Sequence, residues 1–95
     1  MYKIEFYVPE SHLENLKNIM FAAGAGKTAS YDSCCWQTKG ISQFRLPEEG
    51  ETPDQEEEWK VEMLCGDESV DAAVAALKEN HPYEDPVDQY WEVKV

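Results

Sequence analysis

Two kinds of hydrophobic periodicity alternate along this chain, and their order restricts the fold more than any other feature of the sequence. Apolar residues at every second position predict half-buried strands, and apolar residues at every third and fourth position predict amphipathic helices. The strand-like segments are residues 2–8, 28–44, 59–65 and 87–95, and the helix-like segments are residues 13–23 and 70–77. Gly40 and Pro47 predict that the second strand is interrupted or ends in a turn. The predicted order is therefore β-α-β-β-α-β.

This order leaves few topologies for a chain of 95 residues, which is enough for one domain. Two right-handed β-α-β units interleave into a four-stranded sheet with both helices on one face. We therefore predict a single ferredoxin-like α+β domain over residues 1–95. The other sheet face would be bare, and its aromatic residues predict association between copies. The aromatic residues available for that face are Tyr7, Trp36, Trp59, Tyr90 and Trp91. The alternative is that an acidic loop covers the face.

The ends of both helices carry recognisable signals. Ser11 and Glu14 have the spacing of a capping box, and Asp67 after Gly66 is a suitable N-cap for the second helix. Gly24 or Gly26 would end the first helix with a positive φ angle. The Gly-Lys-Thr sequence at residues 26–28 follows a helix rather than a strand, so it does not predict a phosphate loop.

The charge of the chain is strongly acidic, with 20 Asp and Glu against 8 Lys and Arg and a net charge of −12. This balance argues against nucleic acid and anionic membrane surfaces as partners. Residues 48–58 hold seven carboxylates and no basic residue, which predicts a solvated acidic loop. No segment has the length of a membrane span, and the N-terminus does not resemble a signal peptide.

The three cysteines do not suggest a disulfide framework. Cys34 and Cys35 are adjacent, and Cys65 is in phase with the apolar face of its strand. Reduced thiols fit a cytoplasmic location. One of the two adjacent cysteines should face the core, and the sequence does not decide which one.

The segment from His81 to Pro86 concentrates polar side chains on a backbone that two prolines restrict. His81, Glu84 and Asp85 could hold a divalent cation or act as acid and base. The alternative interpretation is a structural connection between a helix and a strand.

Over nearly its whole length, the chain resembles the domain inserted in YqfO-type proteins, the NGG-interacting-factor-three-like family. The matching residues are Tyr2-Lys3-Ile4-Glu5-Phe6-Tyr7-Val8-Pro9, Ala23-Gly24-Ala25-Gly26, Tyr31-Asp32, Cys34, Trp36-Gln37-Thr38, Gly40, Gln43-Phe44-Arg45, His81-Pro82-Tyr83-Glu84-Asp85-Pro86, Asp88 and Tyr90. The last of these segments is also similar to one in CutA proteins. The resemblance implies a PII/CutA-like fold and a homo-oligomer, with a trimer favoured over a dimer. It also implies that the dinuclear metal centre of the long proteins lies in flanking segments, so their suggested hydrolase chemistry is not carried over to a stand-alone domain.

Three functional hypotheses follow. The first is an oligomeric binding or regulatory module with a site between subunits, where His81, Glu84 and Cys34 could bind copper or zinc. The site residues predicted for it are Cys34, Trp36, His81, Tyr83 and Glu84. The second is an interaction domain that docks a basic protein partner through residues 48–58. The third, which we favour least, is a hydrolase that uses His81 and Glu84.

Overall fold

The computed structural model describes residues 1–50 and 52–95, and its elements follow the order that the periodicity predicts. The strands are β1 Tyr2–Val8, β2 Trp36–Phe44, β3 Asp54–Cys65 and β4 Gln89–Glu92, and the helices are α1 Glu10–Ala22 and α2 Val70–Asn80. The strands lie in the order β2-β3-β1-β4 with antiparallel neighbours. The predicted ferredoxin-like fold is confirmed. No helix in the described part of the chain is long and apolar enough to cross a membrane.

The core lies between one face of the sheet and the two helices. In β1 the alternate residues Ile4, Phe6 and Val8 are fully buried, and β3 places Val61 and Met63 opposite Phe6 and Ile4. The helices cover these strands with their apolar stripes, which consist of Leu13, Leu16 and Met20 from α1 and Val70, Ala73, Val74 and Leu77 from α2. Each large apolar side chain buried in this way contributes about 1.5–3 kcal/mol to folding.

The ends of the helices differ in part from the prediction. Helix α1 begins at Glu10, so Ser11 already lies in the first turn, where its Oγ is 2.9 Å from His12 Nδ1. The predicted capping box is therefore wrong. At the other end Gly24 has φ 108°, and the Gly24 and Ala25 N–H groups donate to the carbonyls of Phe21 and Met20. This is a Schellman motif, as the glycine predicts.

The start of α2 also differs from the prediction. A turn from Gly66 precedes the helix, in which the N–H groups of Ser69 and Val70 both donate to the Gly66 carbonyl at 3.0 and 3.1 Å. Ser69 rather than Asp67 is therefore the N-cap residue, and it makes no side-chain cap. The Asp67 carboxylate instead pairs with the ammonium group of Met1.

Strands β2 and β3 extend beyond the sheet as a two-stranded ribbon. The pairing of β1 with β3 ends at Val8 and Trp59, whereas β2 and β3 continue to pair over residues 40–44 and 54–58. The ribbon gives the molecule its length of 49 Å against widths of 24 and 21 Å. The predicted acidic loop is thus wrong for residues 54–58, which are strand, and Glu51 of that loop lies outside the described residues. The predicted interruption at Gly40 is also absent from β2.

The sheet face away from the helices is polar at its centre. Lys3 pairs with Glu62 at 2.8 Å and Lys60 pairs with Glu5 at 3.4 Å, so neighbouring strands β1 and β3 carry alternating charges. Only 8% of Glu5 is exposed to solvent. The face is therefore a grid of paired charges rather than an apolar surface.

Aromatic residues lie at the margins of that face. Cross-strand partners share a sheet face, so Trp36 opposite Glu62 and Trp91 opposite Lys3 lie on the open side. Trp59 opposite Val8 and Tyr90 opposite Ile4 lie on the helix side instead. The prediction that these five aromatic residues are available to the bare face is therefore wrong for Trp59 and Tyr90. It also extended the last strand to residue 95, whereas β4 ends at Glu92, opposite the first paired residue of β1.

Candidate functional site

The segment that follows α2 carries His81 to an edge of β1. Pro82 disfavours a helical conformation in the residue before it, and His81 accordingly has extended angles of φ −69° and ψ 136°. The helix therefore ends at Asn80, and the His81 N–H closes the last turn on the Leu77 carbonyl at 3.0 Å. The imidazole then points back toward the sheet.

Both ring nitrogens of His81 are engaged inside the chain. Nε2 lies 2.7 Å from the Tyr7 carbonyl oxygen, and Nδ1 accepts from the Tyr83 N–H at 3.1 Å. A carbonyl can only accept, so these partners define the neutral tautomer with its proton on Nε2. The His81 side chain is fully buried, and its ring packs against that of Tyr83 with 5.0 Å between centroids. His81 therefore holds the connection against β1.

Asp88 lies beside this histidine in an unusual environment. Its Oδ1 is 3.8 Å from His81 Nε2, and both carboxylate oxygens are buried without a hydrogen-bond partner among the described residues. Burial raises the pKa of Asp88, and the proximity of His81 and Lys78 opposes that effect. The site therefore favours the protonated carboxyl more than water does.

A groove of about 490 Å³ lies between the ribbon and the segment after α2. Its lining consists of Tyr7, Ser42, Phe44, Glu56, Glu58, Tyr83, Asp85 and Val87. Tyr83 crosses the groove, and its hydroxyl donates to Glu58 Oε2 at 3.2 Å. Burial and the charge of Glu58 raise the pKa of Tyr83 to about 12. The phenol is therefore a neutral hydrogen-bond donor and not a base near neutral pH.

A second, smaller groove of about 250 Å³ lies at the other end of β1 and contains Cys34 and Trp36. Two hydrogen bonds hold the residues of this groove against β3. The Gly26 N–H donates to the Leu64 carbonyl at 2.8 Å, and the Cys34 N–H donates to the Gly26 carbonyl at 2.9 Å. Cys35 packs against the core. The Cys34 thiol is directed to the Asp32 carbonyl at 3.5 Å. Cys35 is thus the inward-facing cysteine of the pair.

Within one chain the predicted site residues form two separate groups. Cys34 and Trp36 share the smaller groove with Lys3, whereas Tyr83 shares the larger groove with Tyr7, at the opposite end of β1. Glu84 is exposed. In the described part of the chain, no three His, Cys, Asp or Glu side chains come together in a way that could hold a metal ion. The predicted set is therefore not assembled by a single copy.

The sequence prediction missed the residues that the ribbon contributes to the larger groove. Phe44, Glu56 and Glu58 face Tyr83 only because β2 and β3 pair beyond the sheet. Residues 54–58 are all polar. Both faces of the ribbon are exposed to solvent, so no hydrophobic alternation marks the strand.

The architecture is a PII/CutA-like fold. CutA from Xylella fastidiosa superimposes with a TM-score of 0.76 over 99% of this chain and 84% of that chain, at 21% sequence identity. The periplasmic divalent cation tolerance protein CutA from Archaeoglobus fulgidus gives 0.74, at 16% identity over 100% of this chain and 86% of that chain. At these identities the likeness shows the fold.

Within this class, the sequence is similar to one segment of NIF3-type proteins. A Bacillus cereus protein related to NIF3 superimposes with a TM-score of 0.87 at 26% identity, covering 99% of this chain and 26% of that chain. A GTP cyclohydrolase 1 type 2 homolog from Halalkalibacterium halodurans is 33% identical over 94 residues, which are 90% of this chain and 25% of the relative. The resemblance to the YqfO-type family is confirmed. The chain spans about a quarter of the length of the curated relatives that it matches, and no family model matches it.

Proposed function

We propose that this chain is a homo-oligomeric binding or regulatory module whose predicted ligand site is completed by a second copy. The observation that carries the proposal is the separation of the predicted residues. Cys34 and Trp36 lie in one groove and Tyr83 lies in another at the opposite end of β1. A second copy, placed with its Trp36 end beside the Tyr83 end of the first, would bring the two groups together. A trimer is our leading arrangement, with a dimer as the alternative.

The edge of the sheet supports association. Strand β2 is at the end of the strand order, so one of its edges has no strand partner among the described residues. Trp36 and Ile41 on this strand are 69% and 67% exposed. A long edge strand with exposed apolar side chains is a usual place for pairing between chains.

A divalent cation, copper or zinc, is one candidate ligand for such a site. The name of the Archaeoglobus relative, a divalent cation tolerance protein, favours it. Cys34 and Glu84 could supply ligands from different copies. His81 could join them only by giving up its bond to the Tyr7 carbonyl or to the Tyr83 N–H. A metal site that includes His81 would therefore require the segment after α2 to change its conformation.

Light scattering, with metal analysis of the same elution peak, tests the proposal. We expect the native protein to elute as a trimer and Trp36→Ala to shift the population toward monomer. Tyr31→Ala is the matched control, because Tyr31 is 73% exposed but lies outside the strands. A monomeric native protein, or equal behaviour of the two variants, would contradict the proposal.

Enzymatic activity is not part of this proposal. The name GTP cyclohydrolase 1 type 2 homolog refers to proteins of which this chain matches about a quarter. The residues suggested for hydrolysis are poorly placed for it, since both nitrogens of His81 are engaged and Glu84 is exposed. Incubation of the purified chain with GTP and divalent metals should leave the nucleotide unchanged.

A second candidate function is docking of a basic protein partner through residues 48–58. The projecting ribbon favours this candidate, because Asp54, Glu56 and Glu57 are exposed on it. The test is a pull-down in which the replacement of these three residues by Asn and Gln abolishes capture of a basic partner. A cytoplasmic location would suit either function, since Cys34, Cys35 and Cys65 are free thiols.

A further inference from the structure

All the lining residues of the larger groove come from one copy of the chain, although Tyr83 is also part of the inter-subunit site proposed above. The ribbon supplies one wall and the segment 83–87 supplies the other, while Tyr7 of β1 lies between them. Its volume of about 490 Å³ is in the usual range of about 300–1,000 Å³ for small-ligand sites. The groove therefore has the dimensions of a binding site for a small molecule.

The charge of the groove has one sign. Glu56, Glu58 and Asp85 contribute carboxylates, and none of the lining residues is basic. The nearest lysines on the strands are engaged elsewhere, since Lys60 pairs with Glu5 at 3.4 Å and Lys39 with Glu57 at 3.5 Å. A field of this kind attracts cations and repels phosphates and carboxylates.

The remaining lining is aromatic or apolar. Phe44 and Val87 are 46% and 63% exposed, and the rings of Tyr7 and Tyr83 are also part of the wall. A hydrated metal ion does not use such a surface, because it prefers oxygen ligands. An organic cation does use it, since its alkyl part buries apolar area and its charged end can lie over an aromatic ring.

One carboxylate is held in place for such a ligand. The Tyr83 hydroxyl donates to Glu58 Oε2, which fixes the orientation of the Glu58 side chain and engages only one of its two carboxylate oxygens. Charge-assisted hydrogen bonds from ammonium or guanidinium groups to carboxylates are among the stronger ones in proteins. We propose that this groove binds a small organic cation, an alkylammonium or alkylguanidinium compound, between the ribbon and the segment 83–87.

Calorimetric titration of the native protein with butylguanidinium tests this proposal. Butylurea is the neutral probe of the same shape, and pentanoate is the anionic probe. We expect butylguanidinium to bind, with affinity that falls as salt is added, and the other two probes not to bind. Absence of butylguanidinium binding, or equal binding of butylurea, would overturn the proposal.

Substitutions locate the binding. Glu56→Gln combined with Asp85→Asn should weaken butylguanidinium binding about tenfold or more, as expected for lost charge-assisted hydrogen bonds. Both residues are exposed, so the fold should persist. The matched control is Glu79→Gln combined with Asp71→Asn, at exposed carboxylates of α2 outside the groove. An equal loss of butylguanidinium affinity in the control would mean a general effect of net charge. It would overturn the assignment of binding to this groove. Binding that survives in Trp36→Ala would support the groove even where that variant has lost its oligomeric state.

Discussion

The imidazole of His81 donates from Nε2 to the main-chain carbonyl of Tyr7, 74 residues earlier in the chain, at 2.7 Å. Strand β4 pairs only with residues 2–5 of β1. The later part of β1 therefore has no neighbouring strand on that side in the described structure. A side chain here takes the place of a strand, and it ties the segment after α2 to the sheet.

Removal of this side chain should destabilise the fold. His81→Ala leaves the Tyr7 carbonyl and the Tyr83 N–H without their partner, and each unsatisfied buried group costs about 1–3 kcal/mol. We expect a loss of about 2–6 kcal/mol in the free energy of unfolding by urea, the sum for two such groups. His12→Ala is the matched control, because His12 is exposed and contacts only Ser11 through its ring. That variant should change stability by less than about 0.5 kcal/mol. Equal losses would contradict the structural role of His81.

The phenol of Tyr83 should lose its proton at a higher pH than an ordinary tyrosine. Its pKa is raised to about 12 by burial and by Glu58, so the folded state favours the neutral phenol. The stability that this group contributes is full below its ordinary value of 10.0 and is lost as pH rises toward 12. The difference in phenolate absorbance between the native protein and Tyr83→Phe isolates this transition. Glu58→Gln should lower the pKa part of the way, and no change on that substitution would contradict the contact.

Asp88 should make stability depend on pH in the opposite sense to most carboxylates. Because burial raises its pKa in the folded state, its contribution is most favourable below the unfolded value of 3.8 and is lost as pH rises through the folded value. Asp88→Asn should therefore be more stable than the native protein at neutral pH, and the gain should vanish in acid. Chemical denaturation of both proteins over a pH series measures this difference in the free energy of unfolding.

A matched control for Asp88→Asn is a substitution at a nearby exposed carboxylate. Asp85→Asn changes an exposed carboxylate three residues away and should shift stability by less than about 0.5 kcal/mol at any pH. If Asp88→Asn is destabilised at neutral pH, the carboxylate has a favourable partner and the burial argument fails.

Two glycines offer a matched pair of backbone substitutions. Gly26 has φ 75°, and a Cβ there would lie 2.8 Å from the Cys34 carbonyl oxygen and 2.9 Å from the Phe21 ring. Gly40 has ordinary angles, and a Cβ there would meet nothing within 4 Å. Gly26→Ala should lower the unfolding free energy by about 1–3 kcal/mol, since strain and crowding add. Gly40→Ala should be neutral or slightly stabilising. Thermal unfolding distinguishes them, and similar midpoints would contradict the close approach.

The sequence predicts the fold well where one face of an element is buried. Ile4, Phe6 and Val8 alternate because helices cover only one side of β1, and Leu77 repeats with Ala73 and Val74 because α2 has one buried stripe. The Glu56 to Glu58 run carries no such pattern, since both faces of the ribbon meet water. The capping signals at Ser11 and Asp67 failed because competing local geometry decided them, at Pro9 and in the turn from Gly66.

The sequence predicts the candidate site less completely than it predicts the fold. His81 and Tyr83 could be singled out from the prolines near them, but nothing in the sequence pairs Tyr83 with Glu58, 25 residues away. That pairing depends on the register of β1 with β3, which places Glu58 one residue beyond the Val8–Trp59 pair, and only the folded structure fixes that register. The separation of Cys34 from His81 has the same origin, because it depends on which end of β1 each loop reaches.

The ribbon has a consequence for the behaviour of this protein in concentrated solution. The outer edges of the ribbon carry main-chain N–H and C=O groups without strand partners among the described residues. Such edges can pair with other chains and start cross-β aggregation. Asp54, Glu56 and Glu57 put like charges on the β3 side of the ribbon in every molecule, so the β3 edges of two ribbons repel each other before their backbones can pair. These carboxylates act as gatekeepers, and acidification that neutralises them should convert a clear solution into fibrils or precipitate detectable by turbidity.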